Sequence, residues 1–236
     1  CTSSSVVQYQ YGVEGAFTDY QVAGSVGNGS SFAIRTDGTL WAWGTNSSGQ
    51  LGDSTMTARS LPVRVVGLTG VSRVSAGDTH TLALRLGRVW SWGQGSAGQL
   101  GAGTVTSRSV PDVLPALTDV VSVAAGSVHS LALRADGTVW SWGSNFYGQL
   151  GHNSTTSANL PTQVAGLTNV TGIAAGTTHS LAVRSDGTVW AWGRNNYGQL
   201  GDGTTTTRTA PVQVLSLTGV VSVAAGASHS HAIATT

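Results

Sequence analysis

A four-part signature returns along this chain every 49 or 50 residues, and a rhythm of that length restricts the fold more than any other feature of the sequence. Ala-Gly-x-x-His starts at Ala76, Ala125, Ala175 and Ala225. Trp-x-Trp-Gly starts at Trp41, Trp90, Trp140 and Trp190, and between them these units use all eight tryptophans. Gly-Gln-Leu-Gly follows at Gly49, Gly98, Gly148 and Gly198. A Ser/Thr-rich stretch then leads to Pro62, Pro111, Pro161 or Pro211 and to an apolar run such as Val120-Val121-Ser122-Val123.

Within a unit the pattern is strand and turn. The runs 130–134 and 138–142 flank Asp136-Gly137, a dipeptide that predicts a two-residue type I′ hairpin, and Asp37-Gly38 and Asp186-Gly187 repeat it. The second unit reads Arg85-Leu86-Gly87-Arg88, one residue shorter. There the expectation is a three-residue loop with Gly87 left-handed, which would set Leu84 opposite Trp90. Gly is abundant, at 33 residues, and no stretch shows sustained 3.6-residue periodicity, so no substantial helix is expected. About four short strands per 50-residue period predict an all-β chain, a β-propeller of four-stranded blades packed face against face. Both faces of such a sheet are covered, which suits continuous apolar runs. The small Ala-Ala-Gly segment suits the narrow end of the wedge and the indoles its wider part, as mortar between blades. The chain then divides into residues 1–26, the end of a degenerate repeat, and units 27–76, 77–125, 126–175, 176–225 and a partial 226–236.

The unit Ala124-Ala125-Gly126-x-x-His129-Ser130-Leu131-Ala132-Leu133, Asp136-Gly137-Thr138-Val139-Trp140-x-Trp142-Gly143, Gly148-Gln149-Leu150-Gly151 resembles the repeat of the regulator of chromosome condensation family, and the resemblance covers residues 27–236. It implies a propeller, most often seven-bladed. Four full units with 26 leading and 11 trailing residues are too few for seven blades, so the expectation is a partial propeller or one closed by self-association; the alternative is five blades with one incomplete. Phe17-Thr18-Asp19 echoes Leu117-Thr118-Asp119 in the leading segment.

No catalytic constellation emerges. His80, His129, His179 and His229 share one repeat position, but evenly spaced blades hold equivalent atoms too far apart to share an ion, so each is read as bonding a neighbouring turn or blade, with no metal. Asp37, Asp136 and Asp186 belong to turns, and Leu86 in the second unit stands in the place of an acid. Glu14 is the only Glu, which leaves no paired carboxylates, and the absence of any Lys rules out a phosphate loop at 201–204. Arg35, Arg85, Arg134 and Arg184 are repeat-equivalent strand-end residues, and His152 and His231 fall outside the register. The chain is read as a non-enzyme without cofactor. Eleven Arg against ten acidic residues, a net charge of +1, argue against nucleic acid as a partner.

What varies inside the invariant frame points to recognition. Between Trp-x-Trp-Gly and Gly-Gln-Leu-Gly lie residues 45–48, 94–97, 144–147 and 194–197, and two adjacent units place Phe146, Tyr147, Arg194, Asn195 and Tyr197 there, with Asn46 and Gln94 in the others. Aromatic and Arg side chains of this kind anchor protein interfaces, so these seven residues are the candidate site for a protein partner. A second variable set, Asp78-Thr79, Ser127-Val128, Thr177-Thr178 and Ala227-Ser228, is read as lining an opening of the propeller. Cys1, the only Cys, followed by Thr-Ser-Ser-Ser, resembles the start of a bacterial lipoprotein, making it a candidate lipidation site and setting the expected location at a bacterial cell surface or outside the cell; the other reading is a spare thiol or a fragment boundary. The resulting expectation is a non-catalytic propeller scaffold that binds another protein through variable loops. Two alternatives are guanine-nucleotide exchange on a small GTPase, which the resemblance implies, and glycan binding through stacked Trp or Tyr rings.

Overall fold

The computed structural model describes residues 21–24 and 29–235, and every regular element among them is a strand. The first sheet contains β1 (Gln21–Gly24), β2 (Ser30–Ile34), β3 (Leu40–Gly44) and β4 (Arg59–Arg64), hydrogen-bonded in chain order. The second contains β5 (Arg73–Ala76), β6 (His80–Arg85), β7 (Arg88–Gly93) and β8 (Arg108–Val113). The third is β9 (Val120–Ala125), β10 (His129–Arg134), β11 (Val139–Gly143) and β12 (Ala158–Gln163), and the fourth β13 (Val170–Ala175), β14 (His179–Arg184), β15 (Val189–Gly193) and β16 (Arg208–Gln213). A fifth sheet pairs β17 (Val220–Ala225) with β18 (Ser230–Ala234). Sheet and sequence frames are out of phase: the unit 77–125 carries β6, β7 and β8 of one sheet and β9, the first strand of the next. Cys1 and the Phe17-Thr18-Asp19 echo lie outside the described residues.

These are propeller blades. The first strands of successive sheets, β1, β5, β9, β13 and β17, touch one another and so converge on an axis. Their small residues follow from that convergence: a Cβ on Gly126 would fall 2.5 Å from the Gly176 carbonyl oxygen of the next blade. The fourth strands form the periphery, and there Pro62, Pro111, Pro161 and Pro211 sit in β4, β8, β12 and β16, edge positions where a missing N–H breaks no ladder. The middle strands are buried on both faces, as in β6, β10 and β14, which explains their apolar runs.

The core is a series of junctions between blades. Phe32 and Leu40 of the first sheet pack with Ala83 and Trp92 of the second; Leu82 and Leu84 pack with Ala132 and Trp142; Leu131 and Leu133 pack with Ala182 and Trp192. Trp92, Trp142 and Trp192 are fully buried between sheets, each removing about 4–6 kcal/mol worth of apolar surface from water at ~25 cal/mol/Å².

The hairpins reverse the expectation. Gly38, Gly137 and Gly187 are left-handed at φ 74°, 76° and 76°, but the preceding Asp residues are not, and Arg134 N–H donates to the Thr138 carbonyl, so 135–137 forms a three-residue loop. Asp136 serves the loop through its side chain, whose Oδ1 accepts from Thr138 N–H at 3.0 Å and Thr138 Oγ1 at 2.6 Å. The shorter second unit is the one with a two-residue turn, Leu86 at φ 48° and Gly87 at φ 70°, between the paired Arg85 and Arg88. Removing one loop residue in this way leaves the ladder unshifted: Leu84 faces Val89, as Leu133 faces Val139, and Trp90 faces Ala83. Leu86 is an exposed residue held at positive φ, a conformation Asn tolerates far better. Leu86→Asn is expected to raise stability by about 1 kcal/mol, read as a higher urea midpoint with an unchanged slope.

Candidate functional site

The two variable sets lie at one end of the blades, joined by backbone hydrogen bonds. Gln94 N–H donates to Thr79 O, Ser144 N–H to Val128 O and Arg194 N–H to Thr178 O, at 2.8–2.9 Å. The Asp-Gly turns lie at the opposite end, since each is one hairpin connection away along β10 or its equivalent.

Three of the four variable loops are clamped from beneath by an Asn. Asn145 Nδ2 donates to the carbonyls of Ser154 and Thr156 at 2.9 and 3.0 Å while its Oδ1 accepts from Leu150 N–H; Asn46 and Asn195 do the same with 55, 57, 204 and 206. Gln149 and Gln199 fold back so that Oε1 accepts from Tyr147 N–H and Tyr197 N–H. In the first and fourth blades the clamp ends on a carboxylate: Asn46 reaches Asp53, which pairs with Arg59 at 2.7 Å, and Asn195 reaches Asp202, which pairs with Arg208 at 2.6 Å. Burial raises both acids, but bonds from Thr55 and Arg59, or Thr204 and Arg208, outweigh it and leave them below the usual carboxylate range.

This geometry divides the seven candidate residues. Asn46 and Asn195 are 0% exposed and fully engaged within their own loops, so they cannot meet a partner, and the structure withdraws them. Repetition marked them: Asn145 holds the same place, and the second blade, with Gly95 there, lacks the clamp because a Cβ would strike the Thr106 carbonyl. Gln94 is half-buried, with Oε1 accepting from Thr79 Oγ1 at 2.7 Å. Phe146 and Tyr197 project into solvent, 79% and 73% exposed. Across the junction between the third and fourth blades, the Arg194 guanidinium lies 5.0 Å over the Tyr147 ring, a contact worth about 0.5–2 kcal/mol. Among the described residues no carboxylate pairs with Arg194.

The repeated imidazoles form latches between blades. His80 Nε2 meets Ser130 Oγ of the next blade at 2.9 Å, His129 meets Ser180 at 3.0 Å and His179 meets Ser230 at 3.0 Å. Ser130 Oγ donates its one proton to the Gln99 carbonyl at 2.8 Å and so accepts from His80, which fixes the neutral tautomer with the proton on Nε2. The same carbonyl accepts the Trp142 indole N–H at 2.9 Å; the Gln50 carbonyl takes Thr81 and Trp92, and the Gln149 carbonyl takes Ser180 and Trp192. This Gln-carbonyl relay is what sequence reading missed, since a backbone acceptor leaves no mark beyond the invariance of Gly-Gln-Leu-Gly. Desolvation lowers His80 to about 4, His129 to about 3 with help from its His80 and His179 neighbours, and His179 to about 4. Each Nδ1 is buried without a hydrogen-bond partner, and the backbone of Ser127 near His80 and of His229 near His179 offsets the desolvation only in part. Among the described residues no cluster of His, Cys, Asp or Glu is arranged to hold a metal. The leading indoles are half-buried, Trp41, Trp90 and Trp190 beneath Arg35, Arg85 and Arg184 at 5.6–5.8 Å, which leaves little ring face for a sugar. Arg134, the fourth in that set, instead reaches Asp136 at 3.2 Å.

The comparisons agree with this architecture. A family model described as RCC1-like domain matches residues 8–236. The solved structure of human WBSCR16 superposes with a TM-score of 0.83 at 25% identity, over 97% of this chain and 60% of that one. Prp20p from Saccharomyces cerevisiae, a structure described together with its binding to Gsp1p and histones, gives 0.79 at 26% identity over 92% and 56%. A 49-residue stretch is 49% identical to human E3 ubiquitin-protein ligase HERC2, covering 20% of this chain and 1% of that protein. The chain thus spans a little over half of the first two relatives and a very small part of the third.

Proposed function

The chain belongs to the RCC1-like domain family, and from that membership we propose that it is a non-catalytic propeller that captures another protein on the loop end of its third and fourth blades. Phe146, Tyr147, Arg194 and Tyr197 form the contact surface. The observation that carries this reading is the pairing of Arg194 with Tyr147 across a blade junction, beside two aromatic rings left in solvent on rigidly clamped loops. Rings held out on pre-organised backbone lose little conformational entropy on binding, which is the behaviour of interface anchors. The binding of Gsp1p and histones by Prp20p supports a protein as the partner class. The near-neutral charge, +1, supports a protein over nucleic acid.

Alanine at Phe146, Tyr147 and Tyr197 together is expected to weaken capture of the partner by about a hundredfold or more, the range for two or three interface anchors. Because these side chains are exposed or half-exposed, stability should change by less than about 1 kcal/mol. Affinity measured by surface plasmon resonance and stability by urea denaturation separate the two effects; unchanged affinity would refute the assignment.

A further inference from the structure

The turn end of the first two blades carries positive charge that the fold does not need. Arg35 follows β2, Arg64 ends β4, Arg73 begins β5, Arg85 ends β6 and Arg88 begins β7, so all five lie at that end. The two blades are joined there. Val71 N–H donates to the Gly38 carbonyl at 3.1 Å, and a Cβ on Gly38 would fall 2.8 Å from Gly70 Cα, while one on Gly70 would fall 3.7 Å from Arg85 Nε. Arg64, Arg73 and Arg88 are exposed, and among the described residues none of the five is paired with a carboxylate. Two acids border them. Asp37, whose Oδ1 accepts from Thr39, faces Arg35 and Arg64, and Asp119 lies beside Gly87 but pairs with Arg134 at 3.6 Å.

The other blades show that three of these charges are additions to the scaffold. Arg64 faces Trp41 across the ladder, where the third and fourth blades put Gln163 and Gln213 opposite Trp140 and Trp190. Arg73 faces Leu84, where Ser122 faces Leu133. Arg88 faces Arg85 directly, whereas Thr138 and Thr188 close the turns after Arg134 and Arg184. Like charges opposite each other destabilise a sheet. Between that pair Leu86 is 85% exposed at φ 48°, in the turn where the next two blades hold the acids that pair with Arg134 and Arg184. Repulsion and backbone strain thus coincide at one exposed turn, the kind of local cost that marks a functional surface.

We propose that this end of the first two blades binds an acidic segment of a second protein, whose carboxylates meet the guanidinium groups and whose apolar side chain meets Leu86. Packed sheets lie about 10 Å apart and an extended chain advances about 3.4 Å per residue, so six or seven residues, about 20 Å, reach both blades. Arg35 and Arg85 lie over the Trp41 and Trp90 rings at 5.6 and 5.8 Å, which holds their forks in a fixed plane for bidentate contact with a carboxylate. The same stacking covers ring faces on which single-stranded nucleic acid would stack, and this favours a protein segment. The site lies at the opposite end of the blades from the aromatic loop cluster and does not rest on it.

The test uses the fluorescein-labelled peptide Glu-Asp-Glu-Leu-Asp-Glu-Glu, added to the full chain at about 0.15 M salt and followed by anisotropy. Saturable binding is expected. The combined variant Arg64→Gln, Arg73→Ser and Arg88→Thr, which takes at each place a residue another blade uses, should weaken it at least about tenfold with the urea midpoint nearly unchanged. Arg88→Thr alone and Leu86→Asn alone should each weaken it about threefold, whereas Arg184→Gln, an equal loss of charge at the turn end of the fourth blade, should leave it unchanged. Absence of saturable binding, or full binding by the combined variant, would overturn the proposal. An equal loss with Arg184→Gln and Arg88→Thr would reduce the effect to general charge attraction, and unchanged affinity with Leu86→Asn would remove the apolar contact; either result overturns it. Tighter binding of a labelled oligothymidylate that the combined variant loses would assign the surface to nucleic acid and overturn it too.

Discussion

Trp142→Ala should lower the free energy of unfolding by about 3–5 kcal/mol, the largest effect of any single substitution here. Trp142 is 0% exposed and fills the junction between the second and third blades against Leu82, Leu84, Val89, Leu114 and Leu117. Truncation opens a cavity between two separate sheets and leaves the Gln99 carbonyl with Ser130 as its one remaining partner. In an array where each unit contacts only its neighbours, the damage is concentrated at one interface, so the urea transition should broaden as well as shift. Trp140→Ala provides the contrast. Trp140 is half-buried, and its indole donates only to Thr138 at 3.2 Å on its own hairpin, so about half the loss is expected and the transition should keep its shape. Equal losses at the two positions would contradict the view that Trp92, Trp142 and Trp192, the second indoles of their pairs, join the blades.

The second large effect is with pH. His80, His129 and His179 are held neutral in the folded chain, at about 4, about 3 and about 4, below the value of about 6.5 expected when unfolded. Between those limits the unfolded chain binds protons that the folded chain refuses, so stability falls as pH falls. The contribution is complete above about pH 7 and declines through the window from 6.5 to about 4. At pH 5 each imidazole should have cost about 2 kcal/mol, or about 6 kcal/mol for the three, relative to pH 8. The acids titrate in a separate window: Asp37, Asp136 and Asp186 are lowered mainly by hydrogen bonds from Thr39, Thr138 and Thr188, and their contribution is lost only as pH drops below the ordinary carboxylate range. Urea midpoints from pH 8 to 4.5 test this, with His129→Gln removing about a third of the slope because Gln can donate to Ser180 without titrating. A flat profile down to pH 5 would show that the latches are not buried and neutral.

Particular residues show how far sequence reading reaches. The paired tryptophans and the Ala-Ala-Gly strand are legible because packing between blades repeats, and a repeated environment selects the same residue type each time; the prolines mark the period, and only the sheet order puts them on edge strands. The hairpins were misread in a systematic way: Asp136-Gly137 carries the type I′ signature, yet Asp136 is there for its side-chain bonds to Thr138, and the two-residue turn belongs to Leu86-Gly87. Loop length is a property of the ladder's register, which depends on which residues face across the sheet. The candidate site split for a similar reason. Phe146 and Tyr197 could be chosen as variable aromatics, but Asn46 and Asn195 look equally polar and loop-borne, and only the folded loop reveals them at 0% exposure.

What the residues and their spacing determined alone is the blade: its period, its strand content, its narrow and wide ends and its family, because each rests on local pattern recurring at fixed intervals. What the tertiary structure alone decided is everything that passes between blades. The imidazole latches, the Gln carbonyls that bind the next indole and the Arg194–Tyr147 contact all join residues from different units, about 30 to 50 positions apart in the chain. Their partners are set by the rotation of one wedge onto the next, and a repeat read one unit at a time does not contain that rotation.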